Sequence, residues 1–384
     1  MAHKFRIAGS TYIGKDALSC AEKEVCGLGD KAFIVTGKSM IKQGYVDKLV
    51  TMLKNNQVES VVFSEISGEP TDKMIEQGVH LYQTENCDFI IGFGGGSPLD
   101  SAKAIGVLAE SNCKISDYNG REITHSIPPL VEIPSTAGTG SETTPFTIIT
   151  DTEHDIKMLL KGDSLMPTIA IVDPMFSMQT PRGVTVATGL DALTHAIEAF
   201  SSRKAFSESD LFALSAVERI FKYLLVAVKN GNDEEAREQM AIAAFEAGVS
   251  FSNSSVTIVH GMSRPIGALF HVPHGISNAM LLSECLSYVA DGAYDRFAVL
   301  GRKIGSANME DDDRIATDKF ISAVSALCKA CEVPTLSKYG IDREQFMNAV
   351  EKMADDALAS GSPANTRKPV GKEDIVRIYH NLWK

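Results

Sequence analysis

Short apolar runs rich in β-branched residues recur through the first half of the chain, and each is followed by a stretch of helical spacing. Ala32–Thr36 precedes a helical pattern over Lys42–Asn55, and Val58–Phe63 precedes one over Thr71–Thr84. Phe89–Gly92 runs into GGGSPLD and then a helix over Ser101–Ala109. Runs that are apolar on both faces, alternating with helices of about 10–15 residues, predict a parallel sheet covered on both sides. Leu130–Ile133, Phe146–Thr150 and Ile169–Val172 read as further strands. Residues 5–15 read as an edge strand or hairpin, with a helix over Lys15–Val25. After about Pro181 strand signals nearly vanish. Val184–Ser202, Ser207–Lys229, Glu234–Asn253, Ser283–Ile304, Thr317–Cys331 and Arg343–Leu358 all carry helical periodicity. The expected fold class is α/β plus all-α, with a parallel-sheet domain over residues 1–181 and a helical domain over 182–384.

Composition narrows the function classes. A formal charge of −12 disfavours nucleic acid or an anionic membrane as the main partner. No apolar run reaches the roughly 18 residues needed to span a bilayer, and MAHKFRIAGSTYIG lacks the apolar core of a secretory signal. The 7 cysteines are odd in number and scattered, which argues against a disulfide framework. Cys328 and Cys331, a lone CxxC within a helical pattern, read as two free thiols. These features predict a protein of the reducing cytoplasm.

Two loops carry the signature of an anion site. Gly94–Asp100 follows a strand and opens a helix. Glycines let a ligand approach the backbone closely, and a helix N-terminus presents free N–H groups and partial positive charge. Pro98 suits the first helical turn. Ser135–Ser141, STAGTGS, also follows a strand. Each loop alone is either a phosphate cradle or a tight turn. Together, at the carboxyl ends of two strands of one sheet, they favour a dinucleotide. The usual GxGxxG spacing is absent. Gly37-Lys38-Ser39 ends the first strong strand with no carboxylate to meet a ribose, so NADP is expected to be tolerated beside NAD.

A second constellation lies further on. Asp191 and His195 are four residues apart and share a helix face. His260 follows Val256–Val259, and His274 lies between a proline and a glycine. A carboxylate and three imidazoles suit Fe(II) or Zn(II), and ligand type alone does not choose between them. From the residues alone these histidines could also be hydrogen-bonded core residues. A metal beside a nicotinamide makes hydride transfer the economical chemistry.

Taken in order, GGGSPLDSAK, PSTAGTGSE, Val172–Pro174, TGLDALTHAIEAF, HGMSRPIGALFHVPHG and SPANTRKP resemble the iron-containing (group III) alcohol dehydrogenase family over nearly the whole chain. The resemblance implies a dehydroquinate synthase-like pairing of an N-terminal dinucleotide-binding domain with a C-terminal helical metal-binding domain, the metal and nicotinamide lying in the cleft between. It implies Asp191, His195, His260 and His274 as ligands of Fe(II), or of Zn(II). It places Gly95, Gly96, Ser97 and Asp100 on the pyrophosphate side of the cofactor, Thr136 and Thr139 along it, and Lys157 as a further contact. Gly37 and Ser39 would face the adenosine ribose. The implied activity is NAD(P)-linked interconversion of a short aldehyde and its primary alcohol by a homodimer or larger homo-oligomer. A metal- and NAD-using lyase of the dehydroquinate synthase type is the rival. Two departures stand out. Many members carry Asp at the position of Gly37, and many carry a proton-relaying His where this chain has Arg264. His271 is the expected substitute for the relay, and Arg264 the expected anchor of an anionic substrate tail.

Overall fold

The computed structural model describes residues 2–111, 113–154 and 156–383. The chain forms two compact units, one spanning Arg6–Thr180 and the other Pro181 onward together with the first residues up to Phe5.

The first unit holds a six-stranded parallel sheet. Its strands are β1 (Ser10–Ile13), β2 (Lys31–Thr36), β3 (Glu59–Phe63), β4 (Phe89–Gly94), β5 (Leu130–Pro134) and β8 (Ile169–Val172), in the order β1-β8-β5-β4-β2-β3. Residues 5–15 therefore supply one edge strand, not a hairpin, paired with β8. Helices α1 (Ala17–Cys26), α2 (Lys38–Lys42), α3 (Tyr45–Asn55), α4 (Asp72–Glu85) and α5 (Gly96–Leu108) connect the strands. The alternation of β2 explains the layering. Phe33 packs with Ile75, Tyr82 and Ile105 on one face of the sheet. Ile34 packs with Val25, Leu49 and Leu53 on the other. Each such side chain contributes roughly 1.5–3 kcal/mol when fully buried.

Three details differ from the sequence reading. The helix expected over Lys42–Asn55 is two, broken at Gly44, whose φ of 73° is left-handed. β6 (Phe146–Asp151) leaves the parallel sheet and pairs antiparallel with β7 (Ile156–Lys161), a strand not anticipated. The pattern over Ser283–Ile304 divides between α10 (His274–Val289) and α11 (Tyr294–Lys303), interrupted at Ala290–Ala293.

The second unit is helical. It comprises α6 (Arg182–Ser201), α7 (Ser207–Lys229), α8 (Glu234–Ser254), α9 (Ile258–Phe270), α10 (His274–Val289), α11 (Tyr294–Lys303), α12 (Asp313–Ala330), α13 (Leu336–Tyr339), α14 (Arg343–Ala359) and α15 (Lys372–Asn381). α6 is buried without a break from Gly189 to Ser201, as a helix enclosed by others must be. On it Thr194, Ser201 and Glu198 are each hydrogen-bonded within the fold. Among the described residues no helix is long and apolar enough to cross a membrane. The cysteines are free.

Candidate metal and cofactor sites

In the helical unit, α6 presents Asp191 and His195 on one face. α9 brings His260 in its first turn, and α10 begins at His274. Gly275 permits this approach: a Cβ there would stand 2.0 Å from the Ala187 carbonyl oxygen, so any side chain would force α10 off α6. Asp191, His195 and His260 offer ligand atoms that all lie within 4.8 Å of one another. His274 joins them from a more exposed position, its Nε2 3.7 Å from Asp191 Oδ1, the same distance as His260 Nε2.

Two further residues complete the cluster. Glu198, seven residues after Asp191 on α6, accepts from His260 Nδ1 at 2.5 Å, leaving Nε2 to face Asp191. Its other oxygen accepts from Thr257 Oγ1 and the Val259 amide. Asn278, one turn beyond His274, points Nδ2 into the centre. That nitrogen lies 2.7 Å from Asp191 Oδ1, 3.2 Å from His260 Nε2 and 3.3 Å from His274 Nε2. A single amide nitrogen thus sits where one carboxylate oxygen and two ring nitrogens converge.

The electrostatics match. Burial brings the His195 ring down to about 3, so it is a neutral donor of electron pairs. Burial alone would raise the Asp191 carboxyl, but the histidines around it hold it well below the ordinary carboxylate range. Nδ1 of His195 is buried with no partner. A carboxylate and three imidazoles, His195 neutral with an orphaned nitrogen, fit a divalent ion such as Fe(II) or Zn(II); burial would lower the His260 ring, but Glu198 and Asp191 beside it push it up.

In the α/β unit, β4 and β5 are parallel neighbours with Gly94 opposite Pro134, so the two glycine loops leave the sheet side by side. Gly94 has φ 156°, and a Cβ there would lie 2.7 Å from Pro98 Cγ. Gly95 and Gly96 face the second loop, and ideal Cβ positions on them lie 3.6 Å and 3.0 Å from Thr136 and Thr139. Thr136 Oγ1 is buried without a partner. Gly37 ends β2, which pairs with β4 on its other side. The chain turns outward from β2 to β3 and the opposite way from β4 to β5. The crevice between β2 and β4 is thus the switch point where open α/β sheets bind ligands.

Other expected residues are placed as follows. Asp100 Oδ1 accepts from Ser141 Oγ and Oδ2 from the Ile148 amide, so its carboxylate braces the second loop. Lys157 Nζ donates to Glu69 at 2.6 Å. Ser39 is exposed and Ser97 half-buried on the first turn of α5. His271 is exposed in a left-handed conformation at the end of α9, its carbonyl accepting from Tyr339. Arg264 is half-buried one turn after His260. Sequence reasoning missed Glu198 and Asn278, although their spacings of seven and four from recognised residues were available. It also missed Lys103, fully buried, whose Nζ donates to the Ser141 and Thr144 carbonyls at 2.6 and 2.7 Å.

Comparison with known proteins agrees over the whole chain. A family model described as iron-containing alcohol dehydrogenase matches residues 8–174. The Fe-containing alcohol dehydrogenase family C-terminal model matches residues 185–383. The NAD-dependent methanol dehydrogenase of Bacillus methanolicus is 33% identical over 380 residues, 98% of this chain and 99% of that protein. The NADPH-dependent butanol dehydrogenase of Clostridium saccharobutylicum is 32% identical, covering 99% of this chain and 98% of its own. A crystal structure of a 1,3-propanediol oxidoreductase superposes with a TM-score of 0.95 at 31% identity, covering 100% of both chains. The fold, the order of motifs and these matches together establish that the chain belongs to the iron-containing alcohol dehydrogenase family.

Proposed function

We propose that the chain catalyses the reversible, metal-dependent, NAD(P)-linked interconversion of a short aldehyde and its primary alcohol. The observation that carries this reading is the convergence of Asp191, His195 and His260 within 4.8 Å, with His274 at its open side. Fe(II) or Zn(II) held by these four side chains would supply Lewis acidity to the substrate oxygen. Glu198 fixes the tautomer and orientation of His260, the role that carboxylates play behind metal-binding imidazoles. Gly95, Gly96 and Ser97 offer free N–H groups at the start of α5 to a pyrophosphate, and Thr136 offers an unpartnered hydroxyl. Asp100 and Lys103 hold the second loop against the first. Thr139 and Lys157 would line the cofactor further out. His271, exposed and three residues before His274, would pass the hydroxyl proton to water at a ring nitrogen. Gly37 and Ser39 leave room for a ribose with or without a 2′-phosphate. That both NAD- and NADPH-dependent relatives match the whole chain supports such tolerance.

The test is absorbance in the reduced-nicotinamide band. Chelator-stripped protein is given Fe(II) anaerobically, or Zn(II), then propanal with NADH or NADPH. Metal-dependent oxidation is the expected result. Turnover of a substrate with no net change in absorbance would move the reading to a lyase, and turnover that persists after stripping would remove the metal from it.

A further inference from the structure

Among the described residues, no acceptor meets the Arg264 guanidinium. It lies on α9 four residues after His260, so the two side chains share a helix face one turn apart. It is half-buried, and among the described residues it makes no hydrogen bond, ion pair or ring contact. The other arginines of this unit that are similarly withdrawn from solvent behave differently. Arg219 donates to Glu246, Arg237 to the Gly231 carbonyl, Arg296 to the Phe200 carbonyl and Arg302 to the Asp311 carbonyl. Withdrawing a guanidinium from water without an acceptor is unfavourable, and burial lowers the Arg264 pKa accordingly. The carboxylate whose field reaches it is Glu198. Both Glu198 oxygens are committed to Thr257, Val259 and His260. A divalent ion among the ligands would be balanced by Asp191 and Glu198, leaving the charge of Arg264 as a surplus of about one. The neighbourhood therefore lacks an anion, and a guanidinium fork is suited to an oxyanion that offers two oxygens.

We infer that Arg264 is a specificity-determining residue that receives an anionic tail on the substrate, so that the preferred substrates are aldehydes bearing a carboxylate or sulfonate. This rests on the aldehyde reductase reading above. The substrate would thus come from, or return to, reactions of oxo acids or oxo sulfonates and not of simple alkanals.

The experiment uses the full-length, metal-loaded enzyme. kcat/KM is measured for succinic semialdehyde against its methyl ester, and for sulfoacetaldehyde against propanal. The wild type should favour one or both anions by about 10- to 100-fold, the size of a charge-assisted hydrogen bond. Arg264→Ala should abolish that ratio, and Arg264→Lys, which keeps the charge but not the fork, should retain part of it. Which pair shows the effect separates carboxylate from sulfonate. Calorimetric binding of 4-hydroxybutanoate and butan-1-ol without cofactor gives a readout independent of turnover. Only the first should weaken in Arg264→Ala, by a similar factor, in protein whose metal content and melting are checked. An anion-to-neutral ratio equal in wild type and Arg264→Ala would overturn the inference. So would a raised KM for NAD(P)H with that ratio unchanged, which would assign Arg264 to the cofactor. Absence of any aldehyde turnover by metal-loaded wild type would instead defeat the underlying reading.

Discussion

Glu198 and His260 are joined by a 2.5 Å hydrogen bond inside the helical unit, with both side chains buried. The bond decides which nitrogen His260 turns toward Asp191. Glu198→Gln would set an amide N–H against Nδ1–H, and the ring would escape by moving its proton to Nε2, the nitrogen needed for a metal. Metal affinity should therefore fall about 10- to 100-fold, the usual effect of losing such a supporting carboxylate. Competition with a chromophoric chelator measures this directly. An affinity within twofold of wild type would show that Glu198 serves only the fold.

The two glycines that begin the first loop should respond differently to the same methyl group. At Gly94 a Cβ meets Pro98 at 2.7 Å in a backbone conformation that side chains avoid. Gly94→Ala should destabilise the protein by about 1–3 kcal/mol, visible in its melting. At Gly95 the nearest atom is 3.6 Å away, so Gly95→Ala should fold with a loss of about 1 kcal/mol at most. Its methyl would protrude where a pyrophosphate would lie. NAD(P)H fluorescence titration should then show at least about tenfold weaker binding. Unchanged cofactor affinity in Gly95→Ala would mean that this loop is a turn and not a cradle.

The runs legible in the sequence were those with one physical cause. Ala32–Thr36 and Phe89–Gly94 are apolar because both faces of the sheet are covered, and no other arrangement satisfies them. Ile156–Lys161 does not stand out in the sequence: only Met158 and Leu160 turn inward, so the apolar alternation is two residues long and flanked by lysines. Ile258 and Val259 carry strand propensity, yet both are buried at the start of a helix, where packing outweighs propensity. The candidate ligands could be picked out because histidines are few and Asp191 and His195 share a helix face. Their supports could not. Glu198 looks like any helical glutamate, and Lys103 like any helical lysine, until the fold brings backbone carbonyls 38 and 41 positions away onto its nitrogen.

Gly37 offers a clean test of cofactor choice. A Cβ there would lie 3.7 Å from its nearest neighbour, the Ile66 carbonyl oxygen, which is ordinary van der Waals contact. The nearby Lys38 is 75% exposed, its Nζ 3.7 Å from Glu65, and is free to move toward a phosphate. Gly37→Asp would add a carboxylate that accepts from a ribose hydroxyl and repels a 2′-phosphate. The ratio of kcat/KM for NADPH to that for NADH should fall by about tenfold or more. If the ratio does not move, the adenosine ribose lies elsewhere.

The buried cluster behind the second loop should make stability depend on pH in an unusual direction. Glu132 is fully buried with neither oxygen hydrogen-bonded, 3.9 Å from Lys103 Nζ, and Glu142 is only 2% exposed. Burial, opposed in part by Lys103, pushes Glu132 well above the ordinary carboxylate value and Glu142 up to about 7. An unfolded glutamate titrates near 4.3. Between those values the folded chain keeps a proton on Glu142 that the unfolded chain releases. The stabilisation is complete below about pH 4.3 and is lost as pH rises through about 7. Its full size is on the order of 3 kcal/mol for Glu142 alone, at about 1.36 kcal/mol for each unit. Glu142→Gln mimics the protonated form at every pH. Its melting temperature should therefore track the wild type near pH 5 and exceed it increasingly toward pH 8. A difference between the two proteins that stays constant across that range would show that Glu142 is ionised in the folded state.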